Sequence, residues 1–576
     1  MKWERGERVR QDGTNIDVCI DIILSEEFVD LIKDIRPGIE LVAKELGVEC
    51  YQQLTDEYGV FHIEVNQDEC VDYYFNNHYS ELPSIYGLTS TRAMESAGIS
   101  PVLNSESLDL KGKGVLIAIL DTGIDYTHEA FLNGDKTTRI VSLWDQSIIG
   151  TPPKGFLYGT EYSNKQINEA LRSEDPTTIV PSTDDVGHGT FLAGIAAGKP
   201  NEIEDFQGAA PDSELIIVKL KQAKKCLMDY YQFNEEAVGW QTNDIIQGIN
   251  YVVKKALEYK KPMAILFAGG SNDGPHNGTN LLEKTLDRIS ANQGIGVIVA
   301  AGNEGNTAHH YKDVIKKGQK TTEVEFNVAE GERGLYLKLW GNAPDKLGVE
   351  FISPSGATTG QIPFLAHQWQ QVRIALEVKA ISVYYDMEVR RATESISVIL
   401  HEPMPGLWTM IIHGDIVVNG EFDIWMPIKG FISDDTIFLN ADSEDTIVSP
   451  GTAEAIITVG AYNDVLQKLF VGSSKGLTRD KRIKPDLVAP GVNVIGPYTK
   501  YQYTYQTGTS ISAAVTVGAA ALLLEWGVVK GNEDRMNTIA LKAYLARGAR
   551  RKRNINYPNG DWGFGELDLI NTFRMI

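Results

Sequence analysis

An α/β fold built on a parallel sheet, preceded by a small α+β unit and interrupted by a β-sandwich, is the architecture the sequence predicts. From Gly114 onward, apolar strand patterns alternate with helical ones, as in a parallel sheet covered on both faces. The alternation stops between about Thr321 and Pro427, where short β-patterned runs follow one another with Gly and Pro between them, as in a sandwich. It resumes with a strand at Ala455 to Val459 and a helix from about Ser510 to Trp526, so the β unit reads as an insertion into one α/β domain. The boundaries expected are 1–92, 93–306, 307–445 and 446–576.

In order along the chain, Ile16 to Ile23 is strand-like, Ile39 to Leu46 is helical in period, and Val60 to Val65 is again a strand. Strands follow at Val115 to Leu120 and Leu215 to Leu220, with a helix after His188 between them. A periodic helix from Asp244 to Leu257 leads to strands at Met263 to Ala268 and Gly296 to Ala301. The inserted runs are Val324 to Val328, Leu335 to Trp340, Val372 to Val378, Ile381 to Tyr385, Ile396 to His401, Thr409 to Ile412 and Phe422 to Trp425.

The 576 residues carry 54 Lys+Arg against 77 Asp+Glu, a net charge of −23, and 43% are hydrophobic, enough to fill several cores. This charge opposes the phosphate backbone, so no nucleic-acid partner is expected. The one dense basic run, Arg550-Arg551-Lys552-Arg553, reads as a solvated loop. The longest apolar stretch, Ile511 to Leu524, falls short of the ~18 residues a membrane span needs. No signal peptide is legible at the start, and an intracellular or spore-associated location is expected. Cys19, Cys50, Cys70 and Cys226 lack metal-type spacing and are expected to be reduced, buried thiols.

Four short motifs carry chemistry. Asp121-Thr122-Gly123 follows an apolar strand, which places Asp121 at the carboxyl edge of the sheet, where α/β sites gather. His188, between Gly187 and Gly189, opens a helix of small residues. Ser510 opens another, where helix-start N–H groups favour an oxyanion. Asn303, in Ala300-Ala301-Gly302-Asn303, is delivered by a strand to the same edge and can donate to a developing oxyanion. Each also has an ordinary structural explanation: a strand end, a buried histidine, a helix cap, a turn asparagine. Together they supply what a serine nucleophile requires, a base to take its proton and a carboxylate to hold that base.

With these motifs the chain resembles the subtilisin-like serine proteases over about residues 80–306 and 446–576. The resemblance implies Asp121 as orienting acid, His188 as general base, Ser510 as nucleophile and Asn303 as oxyanion donor. It also implies that Ala268, Gly269 and Gly270 bind the substrate backbone as an added strand, although that loop departs from the family's usual run, and Ala514 stands where Pro is usual. Residues 1–92 would be a prodomain that assists folding and inhibits until cut. The Arg92–Ala93 bond is favoured for that cut, with a competing position near Ser80.

The long prodomain and the insert, expected to be a jelly roll, further resemble the Csp germination proteases of clostridial spores. This implies a cortex hydrolase zymogen as substrate and the cleaved prodomain as partner. A general degradative protease and an idle regulatory pseudoprotease are the alternatives. No cofactor is required by the reading, no metal site is assigned, and structural calcium is left open.

Overall fold

The computed structural model describes residues 16–66, 70–75, 77, 81–83, 85–86, 94–388 and 393–576. Its N-terminal unit comprises α1 (Ile16–Leu24), β1 (Phe28–Asp34), α2 (Ile39–Leu46), β2 (Tyr51–Gln53), β3 (Tyr58–Glu64), α3 (Cys70–Phe75) and β4 (Ile85–Tyr86), with the antiparallel order β1-β3-β2. The run expected as a strand at Ile16 to Ile23 is helix α1 instead. Cys19 and Ile23, four residues apart, are both fully buried, so a helical stripe takes precedence over β-branched propensity.

The first part of the α/β unit holds α4 (Ile99–Leu103), β5 (Leu116–Asp121), β6 (Ile140–Asp145), β7 (Thr160–Ser163), α5 (Asn164–Ala170), α6 (His188–Ala197), β8 (Glu214–Lys219) and α7 (Lys225–Tyr230). It continues through β9 (Trp240–Gln241), α8 (Thr242–Tyr259), β10 (Met263–Phe267), α9 (Leu281–Ser290) and β11 (Ile295–Ala300).

Ten strands follow: β12 (His310–Val314), β13 (Thr321–Val328), β14 (Gly334–Asn342), β15 (Lys346–Ile352), β16 (Trp369–Ile374), β17 (Val378–Glu388), β18 (Thr393–His401), β19 (Gly406–Ile416), β20 (Glu421–Trp425) and β21 (Ile437–Phe438). They form two sheets, ordered β12-β20-β14-β18-β17-β16 and β15-β19-β13-β21. In β13 the residues Thr322, Val324, Phe326 and Val328 alternate inward, the period that buries one face of a sheet.

The chain then returns through β22 (Ile457–Asn463), β23 (Lys468–Leu469), β24 (Leu487–Pro490), β25 (Val494–Tyr498), β26 (Gln502–Gln506) and α10 (Thr509–Leu524). Among the described residues the main sheet runs β23-β22-β11-β10-β5-β8-β6-β7, with β24 also on β22. Its central pairs are parallel, and all six residues of β5 are buried because helices cover both faces: α6 and α10 on one side, α8 and α9 on the other. The helix Thr509–Val529 has the length and hydropathy of a membrane span, but 89% of its apolar window is buried inside the protein, which makes it a core helix.

The expectation of reduced cysteines fails as well. The cysteines are paired, Cys19 with Cys50 and Cys70 with Cys226 at Cα separations of 5.2 and 5.7 Å, because folding brings together sulfurs 31 and 156 residues apart in sequence. Cys226 lies in α7, so the second bond joins the N-terminal unit to the α/β unit. The basic run is the exposed loop expected, and it is also anchored. Arg550 and Lys552 pair with the fully buried Glu566 at 2.7 and 2.9 Å, and Arg551 donates to the carbonyls of Phe564 and Ala546.

The N-terminal unit docks through a buried polar knot. Asp30 of β1 accepts from Lys224 Nζ and His62 Nδ1, both at 2.8 Å, from Gln241 Nε2 at 2.9 Å and from Asn243 Nδ2 at 3.1 Å. The last two residues sit at the start of α8, whose partial positive charge favours a carboxylate there. Burial alone would raise the Asp30 pKa, yet Lys224 and His62 hold it well below the usual carboxylate range.

Candidate active site

Asp121 ends β5 at the carboxyl edge of the sheet, and its Oδ1 accepts from His188 Nδ1 at 2.8 Å and from the Thr122 backbone at 2.8 Å. Thr122 Oγ1 donates to the same oxygen at 3.2 Å and accepts from Gly189 N–H at 2.9 Å, clipping the first turn of α6 to the strand end. Oδ2 is buried and has no hydrogen-bond partner among the described residues, so all the bonds of this carboxylate, to His188 and to Thr122, fall on Oδ1.

His188 begins α6 because the backbone there is held from both sides. Gly187 has φ +84°, and a Cβ on it would lie 2.1 Å from the Tyr498 ring. Asp184, which the sequence reading missed, accepts from Gly187 N–H and Thr190 N–H at 2.8 Å and from Thr190 Oγ1 at 2.7 Å, capping the helix start. An acidic residue four positions before the histidine was its only signal.

Ser510 lies fully buried in the first turn of α10, the helix that packs against α6, and its Oγ donates to the Ala268 carbonyl at 3.3 Å. Thr509 beside it ties this turn to the β11 end. Its N–H and Oγ1 donate to Asn303 Oδ1 at 3.1 and 3.2 Å, and its Oγ1 accepts from Gly302 N–H at 3.1 Å. With Oδ1 committed in this way, the Asn303 amide presents its Nδ2 donors next to the serine turn. The structure therefore gathers Asp121, His188, Asn303, Ser510 and Ala268 at one sheet edge.

A cavity of about 240 Å³ opens beside them, bounded by Ala268, Gly269 and Gly270 after β10 and by Ala300, Gly302 and Asn303 at the end of β11. The glycines keep its wall thin, since a Cβ on Gly270 would lie 2.3 Å from Val448 Cγ2. Glu304 also lines it, 4% exposed, with Oε2 accepting from His309 Nδ1 at 2.7 Å and Thr307 Oγ1 at 2.9 Å, and Oε1 from Lys429 N–H at 3.0 Å. Burial would raise its pKa, but His309 and the hydrogen bonds hold it below the ordinary glutamate value. The expected cleavage residues Arg92 and Ala93 lie outside the described residues.

A buried carboxylate hydrogen-bonded to a histidine, with a serine on the neighbouring helix start and an amide donor beside it, is the arrangement of a serine hydrolase. The subtilase family model matches residues 112–329 and 433–565, and the chain belongs to that family. Among solved structures, the chain is similar to the CspB protease of Clostridium perfringens, with a TM-score of 0.74 and 33% identity over 84% of this chain and 97% of that one. Among curated proteins it is 24% identical over 437 residues to a C5a peptidase of Streptococcus pyogenes, matching 72% of this chain. It is also 21% identical over 495 residues to the minor extracellular protease Vpr of Bacillus subtilis. The chain spans 35% of the C5a peptidase and 52% of Vpr.

Proposed function

We propose that the chain is a serine endopeptidase of the subtilisin type, and the observation that carries this reading is the 2.8 Å bond from His188 Nδ1 to the buried Asp121 carboxylate. That bond places the Nδ1 proton, so Nε2 is the nitrogen left to act as base. Ser510 Oγ attacks the substrate carbonyl while His188 takes its proton, and Asp121 stabilises the resulting imidazolium. Asn303 Nδ2 and the Ser510 N–H receive the oxyanion. His188 then returns the proton to the leaving amine, and water releases the acyl group by the same route.

Residues 1–92 act in this reading as a self-cleaved prodomain. The antiparallel pairing of β4 with β9, Ile85 opposite Gln241 and Tyr86 opposite Trp240, supports it, because Trp240 also packs against Gly269 at the pocket. The strand order of the insert supports a jelly roll: β12-β20-β14-β18 has the arrangement of one four-stranded face of a double Greek key. The likeness to the CspB protease supports a selective role in spore germination on a cortex hydrolase zymogen, inside the cell or spore. Intact mass and N-terminal sequencing of the wild type and Ser510→Ala test the chemistry. With the disulfides reduced, two fragments are expected from the wild type alone, and identical processing of both proteins would refute self-cleavage.

A further inference from the structure

We infer that a basic cleft where the inserted sandwich meets α3 and the end of α7 is a binding site for a small oxyanion, a polycarboxylate or a phosphate. The inference goes beyond the protease reading and does not depend on it, so it can be tested in a chain that lacks the Ser510 hydroxyl.

The cleft forms where one face of a sheet runs out of large side chains. Tyr336 of β14 and Ile399 of β18 stand opposite each other and pack in one cluster with Tyr230, Tyr231 and Phe233, at and just after the end of α7. Two residues further along the same strands, and so on the same face, come Gly334 and His401, with Ala380 of β17 opposite His401. Glycine and alanine are too short to fill the space up to the facing helices. A cavity of about 340 Å³ is left there, a size within the usual range for small-ligand sites. Ala380 and His401 line it from the sheet, and Gln232 after α7 and Val71 of α3 line it from the other units.

The chemistry of the lining selects an anion. Arg333, Arg373 of the edge strand β16 and Lys379 of β17 surround the cavity, and Glu402 is the one carboxylate of its described lining. These cations gather in a chain whose net charge is −23, so composition alone does not account for them. Arg333 is paired with Asp229 of α7 at 2.6 Å, which fixes its guanidinium at the cleft. Lys379 pairs with Glu402 at 2.8 Å, but the two side chains are 67% and 66% exposed, so water screens the pair and the ammonium can turn to a ligand at little cost. Arg373 is exposed and has no hydrogen-bond or ion-pair partner among the described residues. Its planar fork of donors matches a carboxylate or a phosphate, either of which accepts two parallel N–H bonds. On the floor, His401 Nε2 lies 3.0 Å from Ser382 Oγ, which also accepts from Gln371 Nε2 at 3.2 Å, so this side is polar without adding negative charge.

The test is titration calorimetry of the full-length Ser510→Ala protein at low ionic strength, with citrate and inorganic phosphate as probes. Saturable binding of either at one site per chain, with a Kd of about 1 mM or below, is expected, and the probe that binds names the oxyanion. Arg373→Gln should weaken it at least about tenfold, the loss of one charge-assisted pair, and Arg373→Gln/Lys379→Gln should abolish it. Both side chains are exposed, so these variants should melt with the parent protein. Lys316→Gln/Lys317→Gln removes the same charge from the exposed β12–β13 loop and should leave the Kd within about twofold, which separates a site from general attraction. The inference is overturned if neither probe saturates by about 10 mM, or if the two double variants weaken binding equally.

Discussion

Replacing Asp30 with alanine should loosen the N-terminal unit far more than a single surface carboxylate would. Asp30 is fully buried and accepts from Lys224, His62, Gln241 and Asn243, and Lys224 is only 3% exposed. Its removal strands a buried ammonium, for which the penalty is about 3–5 kcal/mol. At ~1.4 kcal/mol per tenfold, that is about two to three and a half orders of magnitude in the docking equilibrium. The assay is urea unfolding of the uncleaved Ser510→Ala protein, with and without Asp30→Ala, in the presence of reductant so that the Cys70–Cys226 bond does not mask the loss. The double variant Asp30→Leu/Lys224→Met should regain at least half of the stability, since removing both charges leaves none unpaired. A loss below about 1 kcal/mol for the single variant, or additive losses in the double, would refute the reasoning.

The same knot gives a pH dependence. Burial lowers the His62 pKa, and neighbouring cations hold that of Asp30 down, so in each case the unfolded chain binds more protons on acidification. Docking stability should begin to fall below the ordinary histidine pKa of ~6.5 and fall further below ~4, which thermal melts across that range would register. Asp121→Asn should keep the fold but lower kcat by about 10⁴, because the amide favours the wrong imidazole tautomer; peptide hydrolysis measures it. Asn303→Ala should lower kcat by about 100- to 1000-fold with little change in KM. After cleavage, the two fragments should migrate as one species on a non-reducing gel and separate with reductant, whereas those of Cys70→Ser should separate in both.

Local patterns in the sequence carried the sheet, the insert and the four chemical motifs. Each of Asp121, His188, Asn303 and Ser510 sits at a strand end or helix start that alternation alone locates. What stayed illegible was set by distance along the chain. Glu304 was visible as the neighbour of Asn303, but its role depends on His309 and on Lys429, 125 residues away. The cysteine pairs depended on how α1 and α7 pack, and no spacing rule encodes that. The run Ile16 to Ile23 has both strand composition and a helical stripe, and only packing against the rest of the protein decides between them.

The bond between Cys70 and Cys226 changes what hydrolysis of the connecting segment can accomplish. A peptide cut ordinarily makes two molecules whose association depends on concentration, and dilution then frees one from the other. Here the pieces keep a one-to-one stoichiometry at any dilution, and the severed unit remains at the effective concentration of an intramolecular partner. Under the proposed self-cleavage, scission and departure would therefore be separate events, and thiol chemistry would set the interval between them.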